Sequence, residues 1–431
     1  MYRYALENLK QWKQRSNRKP LILQGARQVG KTWLMQEFGR LEFKQTVYIN
    51  FEFNEEARGL FERNLDPIRI TQSLSAMERK EITPDTLLIF DEIQACPRAL
   101  TSLKYFCENL PQQPVLAAGS LLGVFLHQHT SFPVGKVEFL HVYPLSFMEF
   151  LQAMGEDLLY QLLLQRNFAN ISDLKPTCED LLKQYYYVGG MPAVVAEFAK
   201  TKNYQTVRQM QLELLNAYEG DFSKYPPANM AQRIREVWRS IPNQLAKENK
   251  KFIYGVIREG ARAKEYELAI EWLQNCGLIY KLQRISKPGM PLSMYQDLSA
   301  FKLFMVDVGL LGAASKLDDK TLIDGSSMLS EFKGALTEQY VLQQLKTDPY
   351  LPVYYWTSNA QAEVDFVIQY DNKIIPIEAK ATTNLRAKSL KYYCEQYKPE
   401  IALRFSMADY KQTDNLYDIP LCMVELFRKI I

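Results

Sequence analysis

Several patterns are missing from this chain of 431 residues, and each absence narrows what the protein can be. No uninterrupted apolar stretch reaches the ~18 residues that a membrane-spanning helix requires, so we expect no membrane partner. The first residues are charged from Arg3 onward and lack the apolar segment of a signal peptide. The six cysteines form no C-x-x-C pair and the three histidines form no ligand set, which argues against a disulfide framework or a zinc site. Together these absences predict a cytoplasmic protein.

Neither sign of charge is in marked excess, because the formal net charge is only +3. A DNA partner therefore remains possible only through a local basic surface, for which Arg386, Lys388 and Lys391 are candidates. The same three residues are equally well explained as a solvated helix face. Hydrophobic residues make up 47% and charged residues 23% of the chain, which is typical of a globular protein with two to four domains.

What the chain does contain is a phosphate-binding loop. The segment from Gly25 to Thr32 reads G-x-x-x-x-G-K-[ST], and it lies between the apolar run Leu21–Gln24 and a helical stretch. The loop and the helix N-terminus direct backbone N–H groups at phosphate oxygens. Lys31 would neutralise the β- and γ-phosphates, and Thr32 would contribute its hydroxyl to the coordination of Mg²⁺. We expect ATP to be bound by Gly25, Ala26, Arg27, Gln28, Val29, Gly30, Lys31, Thr32 and Trp33.

The acidic pair Asp91-Glu92 follows the apolar run 87–90. Four consecutive apolar residues suit a parallel strand covered on both faces, and Asp91 would emerge at its carboxyl end, where α/β sheets bind ligands. Asp91 would hold a magnesium-bound water, and Glu92 would polarise the attacking water. Ser120 ends another expected strand, at the position where additional-strand ATPases place a sensor of the γ-phosphate. The plainer interpretation of Ser120 is a strand-end turn.

Further β-rich segments at 47–53, 115–120 and 137–143 alternate with helical stretches such as 99–110. This alternation predicts an α/β domain over residues 1–150, built on a doubly wound parallel sheet. Residues 151–225 have helical spacing and predict a lid.

Residues 226–300 predict a winged helix-turn-helix, with helices at 229–247 and 264–276 and a hairpin formed by strands 278–285 and 292–295. The start of its expected recognition helix contains Glu265, Glu267 and Glu271 beside Lys264. Acidic side chains disfavour phosphate contact, so a winged helix that packs against protein is the stronger of the two readings.

The last segment, 301–431, contains three carboxylates and one lysine at positions that suggest a common site. Glu338 lies within the apolar stripe of an expected helix over 327–346, where a carboxylate is costly unless it meets a cation or a donor. Asp365 lies on the alternating strand 363–368, and Glu378 and Lys380 share one face of the strand 374–380. If the two strands pair, all four groups can converge.

This order is the E…D…E-x-K layout of the PD-(D/E)xK nuclease superfamily, and it predicts a restriction-endonuclease-like α/β domain. In such a site Glu338, Asp365 and Glu378 would hold Mg²⁺, and Lys380 would orient or deprotonate its water. Many domains of this fold are binding modules without nuclease activity, so these residues do not establish that the domain cleaves nucleic acid.

Four motifs in this order resemble one family: G-A-R-Q-V-G-K-T, L-I-F-D-E-I-Q, A-A-G-S and V-Y-P-L-S-F-M-E-F. They look like a group of bacterial and archaeal AAA-superfamily ATPases with a C-terminal region long labelled a domain of unknown function. Tyr187-Val-Gly-Gly-Met-Pro-Ala-Val194 and the C-terminal motifs match it too, so the resemblance covers nearly the whole chain. The family usually has Gly-Arg before the last strand, where this chain has Gly135-Lys136. Lysine lacks the planar fork of arginine, so no arginine finger is assigned and the oligomeric state stays open.

Three functions remain open at this point. In the first, an ATPase controls a Mg²⁺-dependent nuclease domain, with DNA as the candidate substrate. In the second, the ATPase is a switch and the nuclease fold is catalytically silent, serving to bind a partner or nucleic acid. In the third, the winged helix makes the protein a DNA-binding regulator.

Overall fold

The computed structural model describes residues 1–119, 133–224, 226, 228–247, 250–318, 330–358, 362–383 and 387–431. The chain forms two compact units. The nucleotide unit comprises Tyr2–Tyr143 and Asn275–Leu278, and the C-terminal unit comprises Met1, Pro144–Gln274 and Ile279–Ile431.

The nucleotide unit is built on a five-stranded parallel sheet. Its strands are β1 Leu21–Gln24, β2 Gln45–Asn50, β3 Thr86–Asp91, β4 Val115–Ala118 and β5 Glu138–His141. The spatial order is β2-β3-β4-β1-β5, so β4 separates the strand of Asp91 from the strand that enters the P-loop. This confirms the predicted parallel α/β sheet with an additional strand between the two motifs.

Over residues 1–119 and 133–143, the helices of the same unit are α1 Tyr4–Gln14, α2 Lys31–Glu42, α3 Glu55–Arg63, α4 Pro67–Glu78 and α5 Pro97–Asn109. Strand β3 is buried along its whole length. Its residues Leu88 and Phe90 are fully buried in a core that also contains Ile49 and Phe61. Burial on both faces is what a continuous apolar strand requires.

The C-terminal unit begins with helices. These are α6 Phe147–Met154, α7 Asp157–Gln165, α8 Phe168–Asp173, α9 Lys175–Val188, α10 Pro192–Thr201, α11 Tyr204–Lys224, α12 Ala228–Leu245 and α13 Ala263–Asn275. The predicted helical character of 151–225 is confirmed, although the first helix begins at Phe147. The role of this region as a lid stays a prediction.

An eight-stranded mixed sheet forms the rest of this unit. Its strands are β6 Ile279–Ile285, β7 Gln296–Met305, β8 Val353–Thr357, β9 Glu363–Tyr370, β10 Lys373–Ala379, β11 Ala402–Ser406, β12 Lys411–Thr413 and β13 Leu416–Pro420, in the order β12-β13-β11-β10-β9-β8-β6-β7. In the part of this region that the structure describes, the helices are α14 Val308–Ala314, α15 Ser330–Leu345, α16 Lys388–Tyr397 and α17 Phe427–Ile430.

The expected hairpin of the winged helix is corrected by this topology. Residues 292–295 form a 3-10 turn, and the second strand of the hairpin is Gln296–Met305. The first strand also pairs in parallel with β8, through Arg284 and Tyr355. The hairpin is therefore part of the large sheet, and the predicted boundary at residue 300 falls inside a strand. The sequence missed this because the pairing of β6 with β8 joins segments far apart in the chain.

The Gly-Gly pair after α9 allows a close approach of three chain segments. Gly190 accepts a hydrogen bond from the Leu145 amide at 2.6 Å, and its own amide donates to Asp307 Oδ2 at 2.6 Å. A Cβ on Gly190 would lie 2.1 Å from the Leu145 carbonyl oxygen, and Gly189 has a φ of +74°. Glycine is required at both positions because side chains would collide there.

The backbone amides at the N-terminus of α6 are hydrogen-bonded by a local capping box and by two side chains from distant segments. Ser146 and Glu149 form a capping box. The Phe147 amide donates to Gln344 Oε1 at 2.8 Å, and the Met148 amide donates to Glu425 Oε2 at 3.2 Å. Burial, with a smaller contribution from Glu149, raises the pKa of Glu425 to about 8.

This pKa predicts how Glu425→Gln changes thermal stability with pH. In the unfolded chain the Glu425 carboxyl ionises near its ordinary pKa of 4.5, whereas in the folded state it ionises near 8. Wild-type stability contributed by this group is therefore lost as pH rises from about 4.5 to 8, since the unfolded state releases its proton first. We expect the variant to gain Tm relative to wild type between pH 5 and pH 8.5, by about 2–4 °C for each kcal/mol regained.

Glu400→Gln is the control for this experiment, because its side chain is 75% exposed. Scanning calorimetry at both pH values measures the difference. Equal offsets between Glu425→Gln and wild type at pH 5 and pH 8.5 would contradict the assignment.

Candidate nucleotide site and acidic cluster

The loop between β1 and α2 is shaped by two glycines. Gly25 follows β1 with a φ of +145°, and Gly30 precedes α2 with a φ of +89°. A Cβ on Gly25 would lie 2.1 Å from the carbonyl oxygen of Val142. Side chains are excluded at Gly25 by both space and conformation, so the loop can pass close to the end of β5.

Lys31, the first residue of α2, points back into this loop. Its Nζ donates to the carbonyl oxygens of Gly25 at 2.9 Å and Ala26 at 2.8 Å. Burial lowers the pKa of Lys31 to about 8, although Glu92 and Asp91 oppose the shift. An ammonium group held by carbonyl oxygens in a buried loop is strongly attracted to any phosphate that enters, because phosphate oxygens neutralise its charge.

The predicted magnesium residues Thr32 and Asp91 are brought together. Thr32 Oγ1 donates to Asp91 Oδ2 at 2.7 Å, and the Glu92 amide donates to Asp91 Oδ1 at 3.0 Å. Asp91 is 3% exposed at the end of β3. A hydroxyl and a carboxylate in direct contact supply the oxygen ligands that Mg²⁺ prefers, so the residues fit this ion.

Glu92, the predicted base, is held in a restricted conformation. Its φ of +47° lies in the left-handed region, which is uncommon for a residue other than glycine. The side-chain amide of Gln94 donates a hydrogen bond from Nε2 to Glu92 Oε2 at 2.5 Å. Backbone conformations of this kind cluster at functional sites, where surrounding contacts enforce them.

Three further residues shape this site and were not predicted. Tyr48 donates its hydroxyl to Asp91 Oδ2 at 2.9 Å, and burial raises the pKa of Tyr48 to about 12, so the hydroxyl keeps its proton. Arg3 donates to the Val29 carbonyl oxygen at 3.1 Å, and Gln94 contacts Glu92 as described. Tyr48 could have been found as a polar residue on an expected strand, but no local pattern marks Arg3.

The remaining predicted positions are distributed as follows. Ala26 and Val29 are buried, Gln28 has a φ of +67°, and Trp33 is 40% exposed on α2. Ser120 lies outside the described residues, so its sensor role stays a prediction.

Lys136, which stands where the family usually has arginine, forms an ion pair with Glu108 at 2.9 Å. Of the candidate basic contacts to DNA, Arg386 lies outside the described residues, and Lys391 forms an exposed ion pair with Glu395 at 3.8 Å.

The acidic cluster of the C-terminal unit contains Glu338, Glu363, Asp365 and Glu378 together with three lysines. Strands β9 and β10 pair antiparallel as predicted, with Ile377 opposite Phe366. Asp365 Oδ2 accepts a hydrogen bond from the Ala379 amide at 2.8 Å, and Lys380 Nζ lies 2.5 Å from Glu378 Oε1. The structure therefore brings together the two strands and their four predicted groups.

Two lysines of the cluster were not predicted. Lys250 forms an ion pair with Glu338, and Lys302 forms one with Glu363 and lies 3.8 Å from Glu338 Oε2. Lys302 is fully buried. Neither belongs to the E…D…E-x-K layout, so motif reasoning had no means of finding them.

Burial and these ion pairs shift the pKa values of the carboxyl groups in different directions. Burial raises the pKa of Asp365 well above its usual range, and Glu338 and Glu378 raise it further. Burial also raises the pKa of Glu338, but Lys250 and Lys302 outweigh it, so the pKa is lowered overall. The pKa of Glu378 is raised by burial despite Lys380.

The donor set of the cluster does not fit a metal centre in this arrangement. Within the described residues, no group of three or more His, Cys, Asp or Glu is placed to hold a metal ion. Three of the four acids are paired with ammonium groups instead. The predicted ligation of Mg²⁺ by Glu338, Asp365 and Glu378 stays a prediction that this geometry does not favour.

Three family models match successive parts of the chain. An AAA domain matches residues 17–151, and two domains of unknown function, DUF8612 and DUF4143, match residues 179–321 and 333–424. The first match agrees with the P-loop geometry and supports an AAA-type P-loop domain over residues 17–151. The other two assign no activity, and the nuclease-like assignment stays a prediction.

The chain is also similar to solved structures at low identity. A Walker-type ATPase of Pyrococcus abyssi is 13% identical with a TM-score of 0.44, covering 72% of this chain and 94% of that one. The Aeropyrum pernix ORC1 protein, solved in complex with DNA, is 15% identical with a TM-score of 0.29, covering 73% and 90%. These scores are too low to assign more than the family models do. No curated protein matches the chain.

Among the described residues, every helix is too short or too polar to cross a membrane.

The geometry of Gly25 predicts the effect of Gly25→Ala. Because the added methyl group would overlap the Val142 carbonyl oxygen at a φ of +145°, we expect a loss of about 3 kcal/mol or more in the free energy of unfolding. We also expect loss of binding to a fluorescent ATP analogue. Gly59→Ala, within α3, is the matched control, since no atom lies within 4 Å of its Cβ position. Wild-type binding by Gly25→Ala would show that the loop tolerates a side chain there.

Proposed function

We propose that this protein binds ATP with Mg²⁺ at the P-loop and hydrolyses it. The contact between Thr32 and Asp91 at 2.7 Å supports this most directly, because it places both expected magnesium residues beside the P-loop lysine. The match of residues 17–151 to an AAA domain supports the same function.

Each residue of the site has a defined task in this proposal. Lys31 exchanges its two carbonyl contacts for the β- and γ-phosphates and neutralises them. The N–H groups at the start of α2 bind phosphate oxygens. Glu92 accepts a proton from the attacking water, with Gln94 fixing its orientation. Ser120 contacts the γ-phosphate.

Bound Mg²⁺ would be held by Thr32 and, through water, by Asp91, and it supplies charge stabilisation at the phosphates. Tyr48 donates a hydrogen bond to the same Asp91 oxygen, which keeps the carboxylate oriented.

Two substitutions separate binding from hydrolysis. Lys31→Ala removes the charge that meets the phosphates, so we expect binding of a fluorescent ATP analogue to weaken together with turnover. Glu92→Gln keeps the shape but removes the base, so we expect binding to persist while phosphate release falls about 10²–10⁴-fold.

Lys44→Ala and Glu55→Gln, both on the surface of the same unit, are the matched controls. Wild-type turnover in Lys31→Ala or Glu92→Gln would contradict the proposed roles.

For the C-terminal unit we propose the second of the three functions, a nuclease-like fold that binds a partner or nucleic acid without cutting it, under control of the nucleotide state. The observation that favours it is the pairing of Glu338, Glu363 and Glu378 with lysines. The regulator function is less well supported, because the expected wing is built into the large sheet.

A cleavage assay tests this choice against the nuclease function. Full-length protein with ATP or ADP and with Mg²⁺ or Mn²⁺ is incubated with single- and double-stranded DNA and RNA. We expect the background seen with Asp365→Asn and Lys380→Ala to equal that of wild type, because three of the four acids of the cluster are already paired with lysines. Metal-dependent cleavage that either substitution abolishes would establish the nuclease function instead.

A further inference from the structure

The acidic cluster contains more positive charge than its sequence motif provides. Lys380 belongs to the motif, but Lys250 and Lys302 come from segments that precede it in the chain. We propose that Lys250 and Lys302 are built-in cations that take the place of a divalent metal ion in this cluster.

Lys302 cannot be an incidental surface contact. It is fully buried on β7, between Phe301 and Leu303, which are also buried. Its ammonium group lies 4.9 Å from the centre of the Tyr355 ring and forms an ion pair with Glu363. A lysine buried this completely is stable only if carboxylates balance its charge.

Lys250 is delivered to the cluster by a segment fixed at two points. The Phe252 amide donates to the Phe301 carbonyl oxygen at 2.8 Å, and the two rings stack at 5.3 Å. One residue further on, Ile253 exchanges two backbone hydrogen bonds with the Gln244 side chain, at 2.9 and 3.1 Å. The segment of Lys250 is thereby tied both to the strand of Lys302 and to α12.

The two lysines converge on Glu338. Lys250 binds one carboxylate oxygen, and Lys302 lies 3.8 Å from the other. Together they supply two positive charges, which is the charge of one Mg²⁺ ion. A metal ion entering beside them would be repelled by both ammonium groups, because like charges interact strongly where water is excluded. The arrangement thus holds the carboxylates together and disfavours metal at the same time.

Titration of nucleotide-free, full-length protein with MnCl₂ in a calorimeter tests the proposal. The variants are Asp365→Asn, Lys250→Met and Lys250→Met with Asp365→Asn, and the control is Lys247→Met, which removes an exposed lysine three positions away. Manganese at the P-loop is common to all of them, so differences report on the cluster.

We expect wild type, Lys247→Met and Asp365→Asn to give the same isotherm. Lys250→Met should bind Mn²⁺ at the cluster at least about tenfold more tightly than wild type, and Asp365→Asn should remove that gain. If wild type already shows binding that Asp365→Asn removes, or if Lys250→Met gains none, the proposal is overturned.

Thermal unfolding gives a second readout that needs no metal. Lys302→Met removes the ammonium partner of Glu363, which is 24% exposed, and one of the two cations beside the buried Glu338. We therefore expect Tm to fall by about 10 °C. Glu363→Gln added to Lys302→Met should restore most of the loss, whereas Glu400→Gln added to it should not. An undiminished Tm in Lys302→Met, or absence of rescue, would show that the charge pair does not hold the cluster.

These results are separable from the cleavage assay. Metal-dependent cutting by wild type would overturn the non-cutting function. Manganese bound at the cluster without cutting would overturn only the role of the lysines.

Discussion

The chemistry of the nucleotide unit depends on the hydrogen bond between Thr32 and Asp91. The two residues belong to separate elements, the helix after the P-loop and the end of β3, and β4 and β1 must both pair correctly before they can meet. The apolar run before Asp91 keeps β3 buried on both faces, and the glycines of the loop let α2 start close to β5. The hydrogen bond between Thr32 and Asp91 therefore forms only when the strand order, the P-loop and α2 are all correctly arranged.

Much of this unit could be predicted from the sequence because its signals are local. The strands at Leu21–Gln24 and Thr86–Asp91 and the loop between Gly25 and Thr32 are each encoded by adjacent residues. Tyr48 and Arg3 were missed because their importance arises only when distant segments pack. Arg3 in particular reaches the Val29 carbonyl oxygen from the start of the chain, and nothing in its immediate neighbours indicates this.

In the C-terminal unit, too, local patterns could be predicted from the sequence but contacts between distant segments could not. Period-two alternation placed Asp365, Glu378 and Lys380 on the right faces of a strand pair, and helical periodicity placed Glu338 near them. The cations opposite those acids could not be found, since Lys250 and Lys302 reach them across tertiary contacts rather than along one element. The hairpin expected in the winged helix forms between β6 and β7, but its second strand lies later than predicted. The pairing of β6 with β8 could not be predicted, since no window of neighbouring residues contains both strands.

The burial of Lys302 also constrains how this region can assemble. Its carboxylate partner Glu363 lies 61 positions further along the chain. Removing the fully buried Lys302 charge from water is costly until that carboxylate is present. We therefore expect strand β7, which the predicted border at residue 300 divides, to become ordered in the same step as the start of β9. The hairpin and the acidic sheet are therefore expected to fold together, and a deletion that ends at residue 300 would cut through β7.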